Sequence, residues 1–259
     1  MSAELIYLFD GSLDGIFCCV FESFLKKEYP TAVVPFDEPQ ATLFRQKEIR
    51  TDPEKSQRVL QAIVRKLGAE TLDFVRRAFL TCLPGRALLI LNFLRLGFTH
   101  GPSVLQMLTT DTVSVLSKAV LHLNQEAHLL SGFVRFSDYD GSLVAEIEPK
   151  NFVLPLLAQH FCERFPEEHF FIHDRTHKVA LLYRPYTCRF AAAEAIELPE
   201  ASREEETWRA LWRQFHETIE IKPRRNPGCQ RGHLPLRYRG CMTEFQSLGN
   251  AQLFPEPAG

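Results

Sequence analysis

The sequence lacks the long apolar run that a membrane protein needs. Its longest apolar runs lie around residues 16–21 and 87–91, whereas a transmembrane helix takes about 20 apolar residues. The first residues, MSAELIYLFDGS, also lack the basic leader and apolar core of a signal peptide. These absences predict a soluble cytoplasmic protein with no membrane partner.

Closely spaced cysteines are missing as well. The seven cysteines are odd in number and scattered along the chain, which is typical of reduced cytosolic thiols rather than of a disulfide framework. They have no spacing that fits an iron–sulfur cluster. We therefore expect reduced thiols and no cofactor.

We find no signature of a catalytic site. A Gly-x-Ser-x-Gly elbow is absent, and DGSLDG has neither the spacing nor the lysine of a P-loop. His169, His173 and His177 recur every fourth residue. They can present zinc ligands on one face of a β-hairpin, but a polar hairpin surface explains them equally well. No catalytic residue and no metal site are assigned.

An excess of one charge is also lacking. The 30 lysines and arginines nearly balance the 32 aspartates and glutamates, for a net charge of −2, which excludes a uniformly basic nucleic-acid coat. A nucleic-acid site has to be a local patch. Residues 222–239, hereafter the basic segment, form such a patch because no acid lies between Glu220 and Glu244. Its cations are Lys222, Arg224, Arg225, Arg231, Arg237 and Arg239.

The residue types of the basic segment favour binding to nucleic acid. Arginine outnumbers lysine five to one, and its guanidinium suits bidentate contacts with phosphate or guanine. We expect the cations to contact phosphates. We expect Asn226, Gln230 and Tyr238 to contact a base or the backbone, with the Tyr238 ring stacking on a base.

The conformation of the basic segment follows from its prolines. Pro223, Pro227 and Pro235 predict an extended loop that presents its cations at low entropic cost. An alternative is that residues 237–239 fix the segment to acids of the body, such as residues 204–206.

Hydrophobic periodicity predicts an α+β fold. The expected order is a strand at residues 5–9, a buried helix at 13–27, extended segments at 32–36 and 42–49, helical hairpins from 52 to 130, and a strand–strand–helix–strand–strand unit from 131. Asp140-Gly141 predicts the turn of the first hairpin in that unit. Residues 1–248 are predicted to form a single compact domain with a possible sub-boundary near 131, followed by a flexible tail at 249–259.

A last helix precedes the basic segment. Ser202 and Glu205 form a capping box, and apolar residues follow at helical spacing. They are Trp208, Leu211, Trp212, Phe215 and Ile219. We expect this apolar face to dock the basic segment onto the body of the protein.

Three motifs resemble a bacterial family described as DNA-metabolism or DNA-repair proteins. They are YLFDGSLDGIFCCVFESF, then FSDYDGSLVAEIEPKNFVLPLLAQHF with RFPEEHFFIHDRTHKVALLYRP, and finally WRALWRQFHETIEIKPRRNPGCQRGHLPLRYRGCMTEF. The resemblance spans nearly the whole chain. It implies a role in DNA metabolism beside a radical SAM protein of DNA modification or repair. Some members of that family are fused to a uracil-DNA glycosylase-like domain, and no glycosylase activity is expected of this chain, which ends without one.

The sequence therefore predicts a DNA-repair or DNA-metabolism accessory protein that binds DNA and works with a radical SAM partner. Two alternatives remain open. One is a metal-dependent nuclease or nucleotide hydrolase that uses acids or histidines around residues 139–140 and 169–177. The other is a protein-only adaptor for the radical SAM partner.

Overall fold

The structure, a computed structural model, describes residues 5–37, 44–194, 202–219, 221–224, 226–242 and 245. Helices and sheets are mixed along the chain, which confirms the predicted α+β class. The chain divides into two compact units, residues 1–124 and 125–259, and each is described by itself. That these units act as a single domain stays a prediction. The predicted tail at 249–259 lies outside the described residues.

The N-terminal unit is built on a three-stranded parallel sheet. Its central strand is β1 (Leu5–Phe9), and β2 (Ala32–Pro35) and β3 (Arg45–Glu48) flank it on either side. Pro35 therefore lies on an edge strand, where the missing N–H leaves no gap in the ladder. The strand predicted at 42–49 corresponds to β3, which runs from Arg45 to Glu48; residues 42 and 43 lie outside the described residues.

The helix α1 (Leu13–Leu25) begins where its sequence predicts. The Ser12 hydroxyl accepts a hydrogen bond from the Gly15 amide at 2.9 Å, as an N-cap does. Its residues 15–20 are buried, because the helix is apolar on nearly every side through that stretch. The burial that the composition predicts for this helix is therefore confirmed.

Four further helices complete the N-terminal pattern. They are α2 (Pro53–Leu67), α3 (Ala69–Leu80), α4 (Arg86–His100) and α5 (Asp111–Phe133), with a 3-10 helix at Gly101–Gln106. Residues 125–133 of α5 belong to the C-terminal unit. Asp52 caps α2 by accepting from the Glu54 and Lys55 amides, and Pro53 takes the first helical position, where its fixed φ and missing N–H suit a helix start. Ile63, Val75 and Ile90 are among the buried residues of their core.

One helical run within the described residues, Arg86–Gln106, is long and apolar enough to cross a membrane by length and composition. Core helices pass the same test. Ile90, Leu91, Phe93 and Leu94 of this run are fully buried in the hydrophobic core of the N-terminal unit, which is how a core helix packs.

Gly15 sits where there is no room for a side chain. A Cβ at this position would lie 2.3 Å from Asp10 Oδ1 and 2.9 Å from Phe9 Cδ2. We expect Gly15→Ala to lower the free energy of unfolding by about 1–3 kcal/mol, the usual cost of overpacking. Gly132→Ala is the matched control, since nothing lies within 4 Å of its Cβ position, and it should be neutral or slightly stabilising. Urea denaturation measures both, and equal effects of the two changes would contradict the steric account.

The C-terminal unit contains a five-stranded sheet. Its elements are β4 (Ser137–Tyr139), β5 (Ser142–Ile147), α6 (Leu154–Arg164), β6 (His169–Asp174), β7 (Val179–Arg184) and β8 (Thr187–Ala192). The sheet follows chain order, and its only parallel pair within the described residues is β5 with β6, which α6 connects. The predicted strand–strand–helix–strand–strand unit is confirmed, and β8 extends it by one strand that the sequence did not predict.

The first hairpin turns at Asp140-Gly141, as predicted. Both residues have positive φ, at 51° and 82°, which a two-residue type I′ turn requires. The sequence pattern favours a first strand at residues 133–136, and this prediction is wrong: α5 continues to Phe133 and β4 begins at Ser137. Phe136 instead packs its ring 5.3 Å from Phe161 and 5.9 Å from Phe170, in the core of this unit.

The C-terminal part of the unit is helical. It consists of α7 (Arg203–Thr218), a 3-10 turn at Lys222–Arg224, α8 (Pro227–His233) and a 3-10 helix at Leu236–Cys241. The basic segment therefore lies mostly in short helices, and the prediction that it is extended is wrong.

Candidate nucleic-acid interface

The basic segment folds because its proline and asparagine act as helix-starting residues. The Asn226 side chain accepts a hydrogen bond from the Cys229 amide at 3.0 Å, and Pro227 occupies the first helical position of α8. Proline at this position has a suitable φ and loses no hydrogen bond. The same residues that suggested an extended loop thus begin a helix.

Arg237 anchors the basic segment to a buried acid. Its Nη2 lies 2.9 Å from Oε1 of Glu126 on α5, whose side chain is 2% exposed. The same carboxylate accepts hydrogen bonds from the Lys150 amide at 3.0 Å and from the Asn151 amide at 2.8 Å. The Asn151 side-chain amide adds a third bond at 2.6 Å. Glu126 therefore ties α5, the loop after β5 and the basic segment together.

Tyr238 lies inside this anchor rather than on the surface. It is 2% exposed, and its ring centroid lies 5.7 Å from that of Phe133. The Arg237 guanidinium lies 4.4 Å from the ring centroid and donates a hydrogen bond to the hydroxyl. Burial, and secondly the charge of Glu126, raise the pKa of Tyr238 above its ordinary value. The expectation that this ring stacks on a base is corrected, because the ring is enclosed by protein.

Arg239 is buried as well, at 9% exposure, and its guanidinium lies 4.8 Å from the centroid of the Phe245 ring. Residues 237–239 thus follow the alternative that the sequence left open, in which they fix the segment to the body. The acid in this contact is Glu126, which pairs with Arg237, not one of residues 204–206.

The outward surface of the basic segment carries the remaining polar residues. Arg224, Gln230 and Arg231 are exposed, and Arg231 Nε donates to the Pro227 carbonyl at 3.2 Å. Asn226 is exposed, with its oxygen engaged in the cap. Lys222 begins the 3-10 turn, and Arg225 lies outside the described residues. Because Arg224 and Arg231 are exposed, an anionic ligand can reach both guanidiniums.

A polar edge attaches α7 to the sheet. Glu205, which is 8% exposed, accepts from Arg209 Nε at 2.8 Å and from the Asp138 amide at 3.2 Å. Arg209 Nη2 donates to Ser137 Oγ at 2.6 Å. Ser202 caps the helix by accepting from the Glu205 amide at 3.1 Å. The capping residue is confirmed, although the Glu205 carboxylate binds the sheet and Arg209.

The apolar face of α7 does not make the attachment that the sequence predicts. Trp208, Trp212 and Phe215 are 62%, 41% and 52% exposed. Their expected role as the anchor of the basic segment is therefore corrected, since Glu126 and Arg237 provide that anchor. The apolar face, hereafter the α7 stripe, comprises Trp208, Leu211, Trp212, Phe215 and Ile219.

The Glu205 contacts predict a pH dependence. Burial alone raises the pKa of Glu205, but the hydrogen bonds from Arg209, the Asp138 amide and Ser137 outweigh it, so the pKa lies below its ordinary value of 4.5. A carboxylate with a lowered folded-state pKa contributes stability that is present above 4.5 and is lost as pH falls through the lower value. We expect α7 amide protection, measured by hydrogen exchange, to fall below about pH 4.5 in wild type. Glu205→Gln should lower protection at neutral pH and remove this step, and an unchanged step would contradict the assignment.

His173 and His177 of the second hairpin are paired within the protein. His173 Nδ1 lies 3.2 Å from Glu146 Oε1, and its Nε2 lies 3.1 Å from a backbone carbonyl. His177 Nδ1 lies 2.7 Å from Oδ2 of the buried Asp174, while His169 is exposed. Over the described ranges, no group of three His, Cys, Asp or Glu residues could hold a metal ion. The hairpin is therefore explained by its own hydrogen bonds.

These features define a class of protein: an α+β chain whose C-terminal unit carries a folded, anchored basic segment with arginines on its surface. The chain belongs to the family described as a domain of unknown function, DUF4130, whose model matches residues 84–244. That match includes α4 to α8 and the whole basic segment. No curated protein matches the chain, and no solved structure does.

Proposed function

We propose that this protein binds DNA through the outward surface of the basic segment and serves as an accessory in DNA repair or DNA metabolism. The observation that supports it is the exposure of Arg224 and Arg231 on a segment without acidic residues. An exposed guanidinium can donate two parallel hydrogen bonds to the oxygens of one phosphate. Phosphate contacts supply most of the affinity of DNA-binding proteins.

The anchor supports the same proposal. Glu126, Arg237 and Tyr238 hold the segment from behind, and Asn226 starts α8. The cations on the outside are therefore positioned before a ligand arrives, which lowers the entropic cost of binding. Lys222 and Arg225 belong to the proposed surface by sequence. In this proposal the exposed Gln230 contacts the DNA backbone or a base, whereas the buried Tyr238 and Arg239 support the surface from within.

The partner in this proposal is a radical SAM protein of DNA modification or repair. It rests on the resemblance of the three sequence motifs. In this role the protein brings its partner to DNA rather than carrying out the chemistry itself. Co-purification of the two proteins after nuclease treatment tests the partnership. If the two proteins co-purify but this chain does not bind DNA, the protein-only adaptor is favoured.

The proposed function is tested by titrating fluorescent oligonucleotides with the full chain. Single-stranded, duplex and lesion-bearing forms of one sequence identify the preferred form. We expect binding without cleavage, both with and without chelator. Chelator-sensitive cleavage would favour the metal-dependent nuclease or hydrolase, and absence of binding to all three forms at low salt would overturn the proposal.

A further inference from the structure

Two free cysteines of the C-terminal unit lie on elements that pack around β7. Cys162 is near the end of α6, which packs on β7. Cys188 is on the edge strand β8, which pairs with β7. Cys162 is partly buried and Cys188 is exposed. Two thiols on neighbouring elements can be joined by a disulfide if their side chains meet.

The register of the sheet places Cys188 on the side that α6 covers. Cys188 pairs with Tyr183 of β7, and Tyr183 pairs with Phe170 of β6. These three side chains share one face, because directly opposed residues of antiparallel strands project to the same side of a sheet. The Tyr183 ring stacks on Phe170 at 4.6 Å, and the Phe170 ring lies 6.5 Å from that of Phe161 on α6. The helix therefore covers the face that carries Cys188.

Cys162 lies on the side of α6 that meets this face. It follows Ala158 by four residues, which places the two side chains along one line of the helix. Ala158 is buried, and so is Phe161 directly before Cys162. Cys162 itself is at the rim of the contact. Burial, and then the charge of Cys188 and a hydrogen bond with Cys188, raise the pKa of Cys162 to about 11.

We propose that Cys162 and Cys188 form a reversible disulfide that ties β8 to α6 when the chain reacts with a small-molecule disulfide such as glutathione disulfide. The Cys188 thiolate attacks one sulfur of glutathione disulfide, forms a mixed disulfide and releases one glutathione thiolate. The Cys162 thiolate then attacks the Cys188 sulfur and releases the second glutathione thiolate. The two cysteine protons pass to the released thiolates. Two thiols of the chain are oxidised, and one glutathione disulfide is reduced to two glutathione molecules.

The order of the two steps follows from the surroundings of the thiols. Cys188 is exposed, so an external disulfide reaches it first. The Cys162 thiol loses its proton less readily while Cys188 carries a negative charge, because that charge raises the pKa of Cys162. The charge is gone once Cys188 is in the mixed disulfide, so Cys162 then becomes a better attacking group. The second step therefore closes the pair.

The disulfide acts on an edge strand with little cover. All six residues of β8 are exposed, and a covalent tie to α6 raises the cost of opening such a strand. We expect β8 amides to exchange with solvent about tenfold more slowly in the oxidised chain than in the reduced chain. Equal exchange in the two forms would contradict the role of the disulfide in holding β8.

Peptide mapping of the full chain tests the pair. The folded protein is equilibrated with mixtures of reduced and oxidised glutathione, its free thiols are trapped with N-ethylmaleimide, and it is digested without reduction. We expect a cross-linked peptide that contains Cys162 and Cys188 in oxidising mixtures, and excess reduced glutathione should remove it. Cys229→Ser changes an exposed cysteine of α8 and is the matched control, which should leave the cross-link unchanged.

Serine variants separate the two steps. Cys162→Ser should stop the reaction at the mixed disulfide, so that glutathione stays attached to Cys188. Cys188→Ser should abolish the cross-link, and circular dichroism checks that both variants are folded. The proposal is overturned if the two wild-type cysteines stay reduced, or carry one glutathione each, at every glutathione ratio. A cross-link that forms equally well in urea would also overturn it, since that link would not depend on the fold.

Discussion

Glu126→Ala is expected to lower the free energy of unfolding of the C-terminal unit by about 2–4 kcal/mol, because a buried donor left without its acceptor costs roughly 1–3 kcal/mol. The change takes away the acceptor for Arg237 and for the amides of Lys150 and Asn151. Two buried or half-buried backbone donors and a guanidinium are then left without that partner. Urea denaturation followed by circular dichroism measures the loss.

Two variants calibrate this result. Glu148 pairs with Arg175 at 3.0 Å, but both side chains are more than half exposed, so Glu148→Ala should cost only about 0–1 kcal/mol. Glu126→Gln keeps an acceptor oxygen and should lie between the two. If Glu126→Ala were no more destabilising than Glu148→Ala, Glu126 would not be the anchor of the basic segment.

Replacing both Arg224 and Arg231 with alanine is expected to weaken duplex DNA binding on the order of 100-fold at about 50 mM salt. The estimate assumes that each guanidinium neutralises one phosphate. Each such contact makes the slope of log affinity against log salt steeper by about 0.9. Both residues are exposed, so the fold should not change. Fluorescence anisotropy with a labelled duplex measures the affinity.

The matched control removes the same charge elsewhere in the same unit. Arg184 on β7 and Arg189 on β8 are both exposed. Changing both to alanine lowers the net charge by the same amount as changing Arg224 and Arg231. This variant should bind DNA within a few-fold of wild type. Equal losses in the two double variants would mean that overall charge, rather than the basic segment, determines the affinity.

The parts of the fold that sequence predicts well depend on neighbouring residues. Ser12 and Asp52 start their helices through hydrogen bonds to amides two or three positions away. Asp140-Gly141 turns a hairpin through its own positive φ angles. The strand β8 escapes prediction because all its residues are exposed, so it lacks the alternation that marks a half-buried strand.

The architecture of the candidate site depends on distant residues, which a sequence pattern does not bring together. Glu126 meets Arg237 only after folding, although an acid on the buried side of α5, next to the buried Leu123, Ala127 and Leu130, is a signal that could have found it. The α7 stripe shows the converse. Its spacing predicts an amphipathic helix correctly, but spacing does not identify the surface that covers it.

The most direct test of DNA binding by the basic segment is the slope of log affinity against log salt for wild type and the Arg224→Ala, Arg231→Ala variant on one duplex. We predict a steep negative slope for wild type that becomes shallower by about 2 in the variant, corresponding to two lost phosphate contacts. The Arg184→Ala, Arg189→Ala control should keep the wild-type slope. Identical slopes for wild type and the Arg224→Ala, Arg231→Ala variant, or no wild-type binding at low salt, would contradict the account.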